Sequence, residues 1–250
     1  MSCSYPAMTK NMKTIQTITI AILSFFLTRE NHAEAPKPNV LMICIDDLND
    51  WTGFLGGHPE AVTPHMDALA KRGRIFTNAH CAVPVCSSSR VSVMSGVAAT
   101  THGSYELGPR YEELPALANI PTIQRYFKDH GYYTLAGGKV LHHGFRGRLA
   151  GAIDRSLGRK KSPRPRKPMN RPAGWSSAWD WGAFPEEDAE MADFQLAKKA
   201  AEALQENFDQ PFFMSVGFFR PHVPLYVPPK WFELYDSDKL TLPGNPGSDL

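Results

Sequence analysis

Between Val85 and Gly96 the chain reads VCSSSRVSVMSG, which sets a thiol, three hydroxyls and a guanidinium together over Cys86 to Arg90, just ahead of a short apolar stretch. With Val91 to Met94 on a helix, Cys86 falls at or before its N-terminus. Unpaired backbone N–H groups and the helix dipole favour an anion at that place, such as a sulfate or phosphate ester. Upstream, NVLMICIDD closes an apolar run with Asp46 and Asp47. Adjacent carboxylates repel unless a cation neutralises them, and their hard oxygens suit Ca²⁺ or Mg²⁺. Taken alone, such a pair also reads as a turn or a helix cap. Lys139 and His142 in GGKVLHHG and His222 in FFMSVGFFRPHVPL are further polar candidates, although a single Lys or His defaults to a surface or core role.

These residues need a frame. Val40 to Ile45 is a continuous, partly β-branched apolar run, which predicts a strand buried on both faces of a parallel sheet. Thr63 is placed to cap a helix that has Pro64 at its first position and Gly73 as its stop. A helix is predicted from Pro121 to His130, ended by Gly131, with a strand at Tyr132 to Ala136. The pair recurs as a helix over Glu186 to Phe208, with Met191, Phe194, Ala197, Ala201, Leu204 and Phe208 near helical spacing, and a strand at Pro211 to Phe219. Alternating helices and strands predict an α/β fold with a mostly parallel sheet. In such sheets ligands sit beyond the carboxyl ends of the strands, where Asp46 and Asp47 stand.

At 250 residues, with 42% apolar and 21% charged residues, the chain is long enough for one sizeable core and is neither of disordered nor of membrane type. A net charge of +2 gives no reason to invoke a nucleic-acid partner. Residues 1–35 read as an export signal: Lys10 and Lys13, then TIQTITIAILSFFLT, then Ala33-Glu34-Ala35 as a cleavage pattern, with Met12 as an alternative start. The rival is a retained membrane anchor, which Arg29, Glu30 and Asn31 oppose by interrupting the apolar run. The mature chain is then periplasmic or secreted, with no stable membrane span. Of the four cysteines Cys3 leaves with the signal; Cys44 reads as a small core residue, and a Cys81–Cys86 disulfide is the rival that would abolish a nucleophile at position 86. Over Arg146 to Arg171 ten Lys or Arg face a single acid, Asp154, and Trp175, Trp179 and Trp181 follow. This 146–181 stretch reads as a solvated, flexible loop, or as a rim that draws in a polyanion. The tryptophans either stack on sugar rings or pack the loop down.

Taken together, IDD, CSSSR, GGKVLHHG and FFRPHVPL, with TPHMDALAKRGRIFTNAHC between the first two, resemble the type I sulfatases, in the branch that includes iduronate-2-sulfatase. The resemblance implies an alkaline-phosphatase-like α/β sandwich. It implies that Cys86, in a C-x-x-x-R motif with Arg90, is oxidised by a formylglycine-generating enzyme to formylglycine, whose hydrate is the nucleophile. Ser88 stands where the family usually has proline or alanine. Asp46, Asp47 and position 86 would hold Ca²⁺ or Mg²⁺; Lys139 and His222 would add positive charge and hydrogen bonds; His222 would protonate the leaving alcohol; His142 would help to regenerate the aldehyde; and Arg90 would orient position 86. The two histidines can exchange roles.

The implied substrate is a sulfated carbohydrate or other sulfate ester, cleaved as a sulfuric ester. The resemblance begins near Pro38 and covers about the first half of the family's length, so residues 36–250 correspond to the N-terminal part of the catalytic domain. The family's second metal-binding pair and a further Lys lie downstream of that part, and this implies weak or absent activity for residues 1–250 alone. A phosphate or phosphonate ester hydrolase of the same superfamily, and a catalytically inactive remnant that binds sulfated glycans, are the alternative readings.

Overall fold

In the computed structural model the described residues are 36–242. The proposed export signal and Cys3 lie outside them, and so do the last eight residues. Among the described residues no helix is long and apolar enough to cross a membrane.

The centre is a four-stranded, all-parallel sheet of β1 (Val40–Ile45), β2 (Tyr133–Gly138), β3 (Arg155–Gly158) and β5 (Phe212–Phe218), in the order β1-β5-β2-β3. A second, two-stranded parallel sheet pairs β4 (Trp181–Ala183) with β6 (Leu225–Val227). The helices are α1 (Pro64–Arg72), α2 (Cys86–Ser95), the short α3 (Ala99–His102), α4 (Ile123–Asp129) and α5 (Ala192–Ala203). One face of the sheet carries Leu135, Met214 and Val216 and is covered by Leu196, Ala200 and Ala203 of α5. On the other, Val91 and Met94 of α2 join Leu117, Val140 and Leu141, and Phe127 of α4 stacks on Phe213 at 4.2 Å between ring centroids. The expectation of helices flanking a mostly parallel sheet therefore holds.

Several local expectations need correction. β1 is not buried on both faces: Leu41 and Ile43 are 43% and 49% exposed. Among the described residues β1 lies at the edge of the sheet beside β5, and α5 packs on β5, β2 and β3. The helix expected over Glu186 to Phe208 is confined to α5, because a 3-10 turn at Asp188–Glu190 and an extended Met191 precede it. Its inward stripe is Ala192, Leu196, Ala200 and Ala203, while Phe194 is 45% exposed. Two apolar stripes compete on this helix, and the one rich in alanine allows the closer approach to the sheet. Thr63 does not cap α1 with its side chain; its hydroxyl donates to Asp67 Oδ1 at 2.9 Å and accepts from the Gly53 N–H at 2.8 Å, pinning the preceding loop. Thr122 does cap α4, accepting from the Arg125 N–H.

The basic stretch is not a structureless loop. It contains a 3-10 segment, Gly147–Ala152, and β3, which bury Leu149, Ala152 and Leu157. Asp180 then accepts the N–H groups of Met169, Asn170 and Trp181 at 2.8–3.0 Å and the Tyr226 hydroxyl, tying the stretch to β6. Trp175, Trp179 and Trp181 remain 44–55% exposed.

Candidate active site

The register of the sheet explains how distant residues meet. Ile45 lies opposite Phe218, Gly217 opposite Gly138, and Gly137 opposite Gly158, so the four strands end at one level. The residues that follow them are Asp46, Phe219, Lys139 and Arg159, three of which are charged. Two glycines make the approach possible. Gly138 has φ +70°, and a Cβ there would lie 2.0 Å from the Gly217 carbonyl oxygen; a Cβ on Gly217 would lie 2.2 Å from the carbonyl carbon of Lys139. With neither present, the Lys139 N–H donates to Gly217 O at 2.7 Å and the lysine is delivered against β5.

Asp46 is the hub. It is 3% exposed and bonds both cations: Arg90 Nη2 donates to Oδ1 at 2.8 Å and Lys139 Nζ donates to Oδ2. Burial pushes its carboxyl up, but the hydrogen bonds and charges of Lys139 and Arg90 outweigh that and hold it below the ordinary carboxylate range. Arg90 also donates to the carbonyls of Lys139 and Val140, so its partners are the Asp46 carboxylate and the turn after β2 rather than the Cys86 side chain. Such buried groups are satisfied only because each donor has an acceptor in place.

Asp47 is exposed and stands at φ 59°, a left-handed conformation that Asp tolerates and that turns the chain directly after β1. His222 Nε2 lies 3.8 Å from Asp47 Oδ2 and 4.0 Å from Asp46 Oδ2. Among the described residues these three are a group able to offer one ligand atom each, all within 4.8 Å of one another. The opposite ring nitrogen, Nδ1, lies 2.6 Å from Val223 O, and a carbonyl can only accept. Nδ1 therefore carries the hydrogen, and Nε2 faces two carboxylates either bare or protonated. A proton on Nε2 lets His222 donate toward the two carboxylates, and the hard oxygens of Asp46 and Asp47 are of the type that holds a divalent cation. Cys86 is not a member of this group.

Cys86 opens α2 at its first position. Val85 before it offers no side-chain cap and no acid stands in the first turn, which leaves the helix N-terminus receptive to an anion. Cys86 Sγ lies 3.2 Å from His142 Nδ1. Burial, followed by the charges of Lys139, His143 and Arg159, lowers the His142 pKa to about 4, so this imidazole is neutral at pH 7. A cavity of about 490 Å³ lined by Asp46, Asp47, Cys81, Cys86, Ser89 and Arg90 connects the carboxylates to the start of α2. Cys44, Cys81 and Cys86 are all free thiols, so the rival disulfide is not formed. Ser88 is fully buried, donating to Glu106 O at 2.7 Å and pairing with Ser104 Oγ at 3.1 Å.

Two contributors were missed by sequence reasoning. Arg159 donates to the carbonyls of Leu141 and His142 at 3.2 and 2.7 Å, holding the turn that carries His142. Its position directly after Gly158, as Lys139 follows Gly138, was the available signal. Asp193, at the start of α5, accepts the N–H groups of Phe219 and Arg220 at 2.8–3.0 Å and thereby fixes the segment leading to His222.

A sulfatase from Formosa agariphila is 38% identical over 87% of the chain and 45% of its own length. Human iduronate 2-sulfatase is 30% identical over 83% of the chain and 39% of its own length. The chain thus spans less than half the length of these curated relatives. Among solved structures, a phosphonate monoester hydrolase of Agrobacterium radiobacter superposes with a TM-score of 0.63 at 20% identity, covering 82% of the chain and 45% of that protein; this likeness concerns the fold. The sulfatase family model matches residues 38–247, and the chain belongs to the sulfatase family.

Proposed function

We propose that this chain is the N-terminal part of an exported sulfuric ester hydrolase that acts on a sulfated carbohydrate through formylglycine at position 86. The observation that carries this reading is the contact at 3.2 Å between Cys86, at the mouth of α2, and His142, beside the buried Asp46–Arg90–Lys139 network. Formylglycine, once made from Cys86 by a formylglycine-generating enzyme, supplies as its hydrate two hydroxyls on one carbon, one to attack sulfur and one whose loss of a proton expels the sulfate and restores the aldehyde, which neither a thiol nor a serine does. A Ca²⁺ or Mg²⁺ ion held by Asp46 and Asp47, with position 86 contributing, would supply charge to polarise the ester oxygens.

The chain's own residues do the rest. Lys139 and the N–H groups at the start of α2 bind and orient the sulfuryl oxygens. His142, neutral at pH 7, accepts a proton at position 86 and so serves both attack and regeneration of the aldehyde. His222, in its protonated state, donates to the departing alcohol oxygen from Nε2. Arg90 keeps Asp46 ionised and fixes the turn that bears Lys139.

The test is mass spectrometry of the peptide bearing Cys86 from the longer exported hydrolase proposed here, made in a host with the maturation enzyme, joined to that protein's rates on matched aryl sulfate and aryl phosphate esters. Aldehyde at position 86 with preference for the sulfate is the expected result. A free thiol at that position, or preference for the phosphate, overturns it.

A further inference from the structure

Alongside β2 and β3, lined by residues of both strands, by Ile153 and Asp154 before β3 and by the turns that follow them, lies a second cavity, of about 690 Å³ against about 490 Å³ beside Cys86. Of the groups assigned above as acting on the ester, only His142 lines it, and His142 also touches Cys86. The remaining charged lining is Arg110, Arg146, Arg159 and Lys161, with Asp154 as the acid. Asp154 is committed elsewhere: it pairs with Lys128 at 2.6 Å and accepts from the N–H and hydroxyl of Thr134 at 2.9 and 2.8 Å. Arg110 approaches Glu113 only to 3.8 Å, at the exposed rim. Arg159 bonds carbonyls, and among the described residues neither Arg146 nor Lys161 has a carboxylate within ion-pair distance.

This is a concave surface with surplus positive charge. Arg110, Arg146, Arg159 and Lys161 are exposed and stand around this recess, and cations so grouped without counter-charge repel one another and set up a field that an oxyanion relieves. The volume is that of a small-molecule site, with room for a sugar ring as well as its substituent. His142 lines this cavity and lies 3.2 Å from Cys86, which lines the smaller one, so the two cavities adjoin at that contact.

We propose that this cavity binds a second oxyanion substituent, sulfate or carboxylate, of the same saccharide whose ester lies at position 86, with Arg146 and Lys161 as its contacts. The proposal rests on the sulfatase reading for the identity of the ligand, but its test does not depend on turnover. Calorimetric binding to the full chain compares three disaccharides: one with a single sulfate ester, one with a second sulfate, and one with a carboxylate in place of that second sulfate. At least one two-anion ligand binds about tenfold tighter than the singly charged one at about 0.05 M salt, and the gap narrows at about 0.5 M. Which ligand gains tells sulfate from carboxylate.

In the Arg146→Ser/Lys161→Ser variant, with unchanged thermal midpoint, the gap closes to within about twofold while affinity for the singly sulfated ligand stays the same. Equal binding of all three ligands by the unaltered protein, or an undiminished gap in the variant, overturns the proposal. Mass spectrometry of the peptide bearing position 86 separates the two claims, since it does not depend on turnover. An aldehyde at position 86 without discrimination among the three ligands sinks the second cavity; discrimination with a free thiol there sinks the catalytic reading and leaves the cavity.

Discussion

Replacing Asp46 by Asn tests whether the centre of the site is a charge network that the fold depends on. Among the described residues Asp46 is the ion-pair partner of both Arg90 and Lys139, and the three are 3%, 8% and 3% exposed. At 2.8 Å and an effective dielectric of about 20, the Arg90 pair alone is worth about 6 kcal/mol before desolvation. Desolvation of the ions offsets most of that, so the intact network contributes little net. Truncation is different, because two buried cations would be left facing a neutral amide. The expected cost is about 3–5 kcal/mol, a large share of a typical domain's 5–15 kcal/mol. Urea unfolding followed by circular dichroism at pH 7, with EDTA present, measures it. Adding Lys139→Met removes one orphaned charge, and the double variant should recover about 1–3 kcal/mol relative to additivity. A loss below about 1 kcal/mol for Asp46→Asn, or strict additivity in the double variant, would refute the network argument.

Gly217→Ala should destabilise by about 3 kcal/mol or more, since its Cβ meets the Lys139 carbonyl carbon at 2.2 Å and the Val140 nitrogen at 2.5 Å; Gly151→Ala, with nothing within 4 Å, should be neutral or slightly stabilising in the same thermal melt. His142 has a folded pKa of about 4 against an ordinary 6.5, so the unfolded chain binds more protons between these values. Its contribution is fully present above pH 6.5 and is lost as pH falls toward 4, by about 1–2 kcal/mol after allowance for solvent exposure, and His142→Gln should flatten that part of a stability-against-pH curve. Ca²⁺ at a hundredfold excess over its Kd should stabilise the protein by about 2.7 kcal/mol relative to EDTA, read as a rise in Tm that Asp47→Asn abolishes; an equal rise in the variant would place the ion elsewhere.

What the sequence determined by itself is local and compositional. The apolar run at Val40–Ile45, the turn after it at Asp46-Asp47, the helix opening at Cys86 and the strand ending near His222 are all set by short-range pattern, and short-range pattern is what a sequence states openly. The family resemblance rested on those same segments, and the match to residues 38–247 agrees with it. Long-range decisions were not legible. Whether β1 is central or at an edge depends on strand order, which no single segment encodes, and so Leu41 and Ile43 were taken as buried. The inward stripe of α5 was misjudged because Phe194 outweighs alanine in hydropathy, whereas the sheet selects side chains small enough to let the helix approach.

Tertiary structure alone decided which charges meet. Parallel register aligned the ends of four strands and so brought Asp46, Lys139 and Arg159 to one level. It paired Arg90 with Asp46, set His222 beside the two carboxylates, and assigned Asp193 to hold the segment leading to His222. It also converted a basic, proline-rich stretch into β3 and one wall of a cavity. The reason is that residue type states what a side chain can do, while distance and burial, which follow only from packing, state to what it does it.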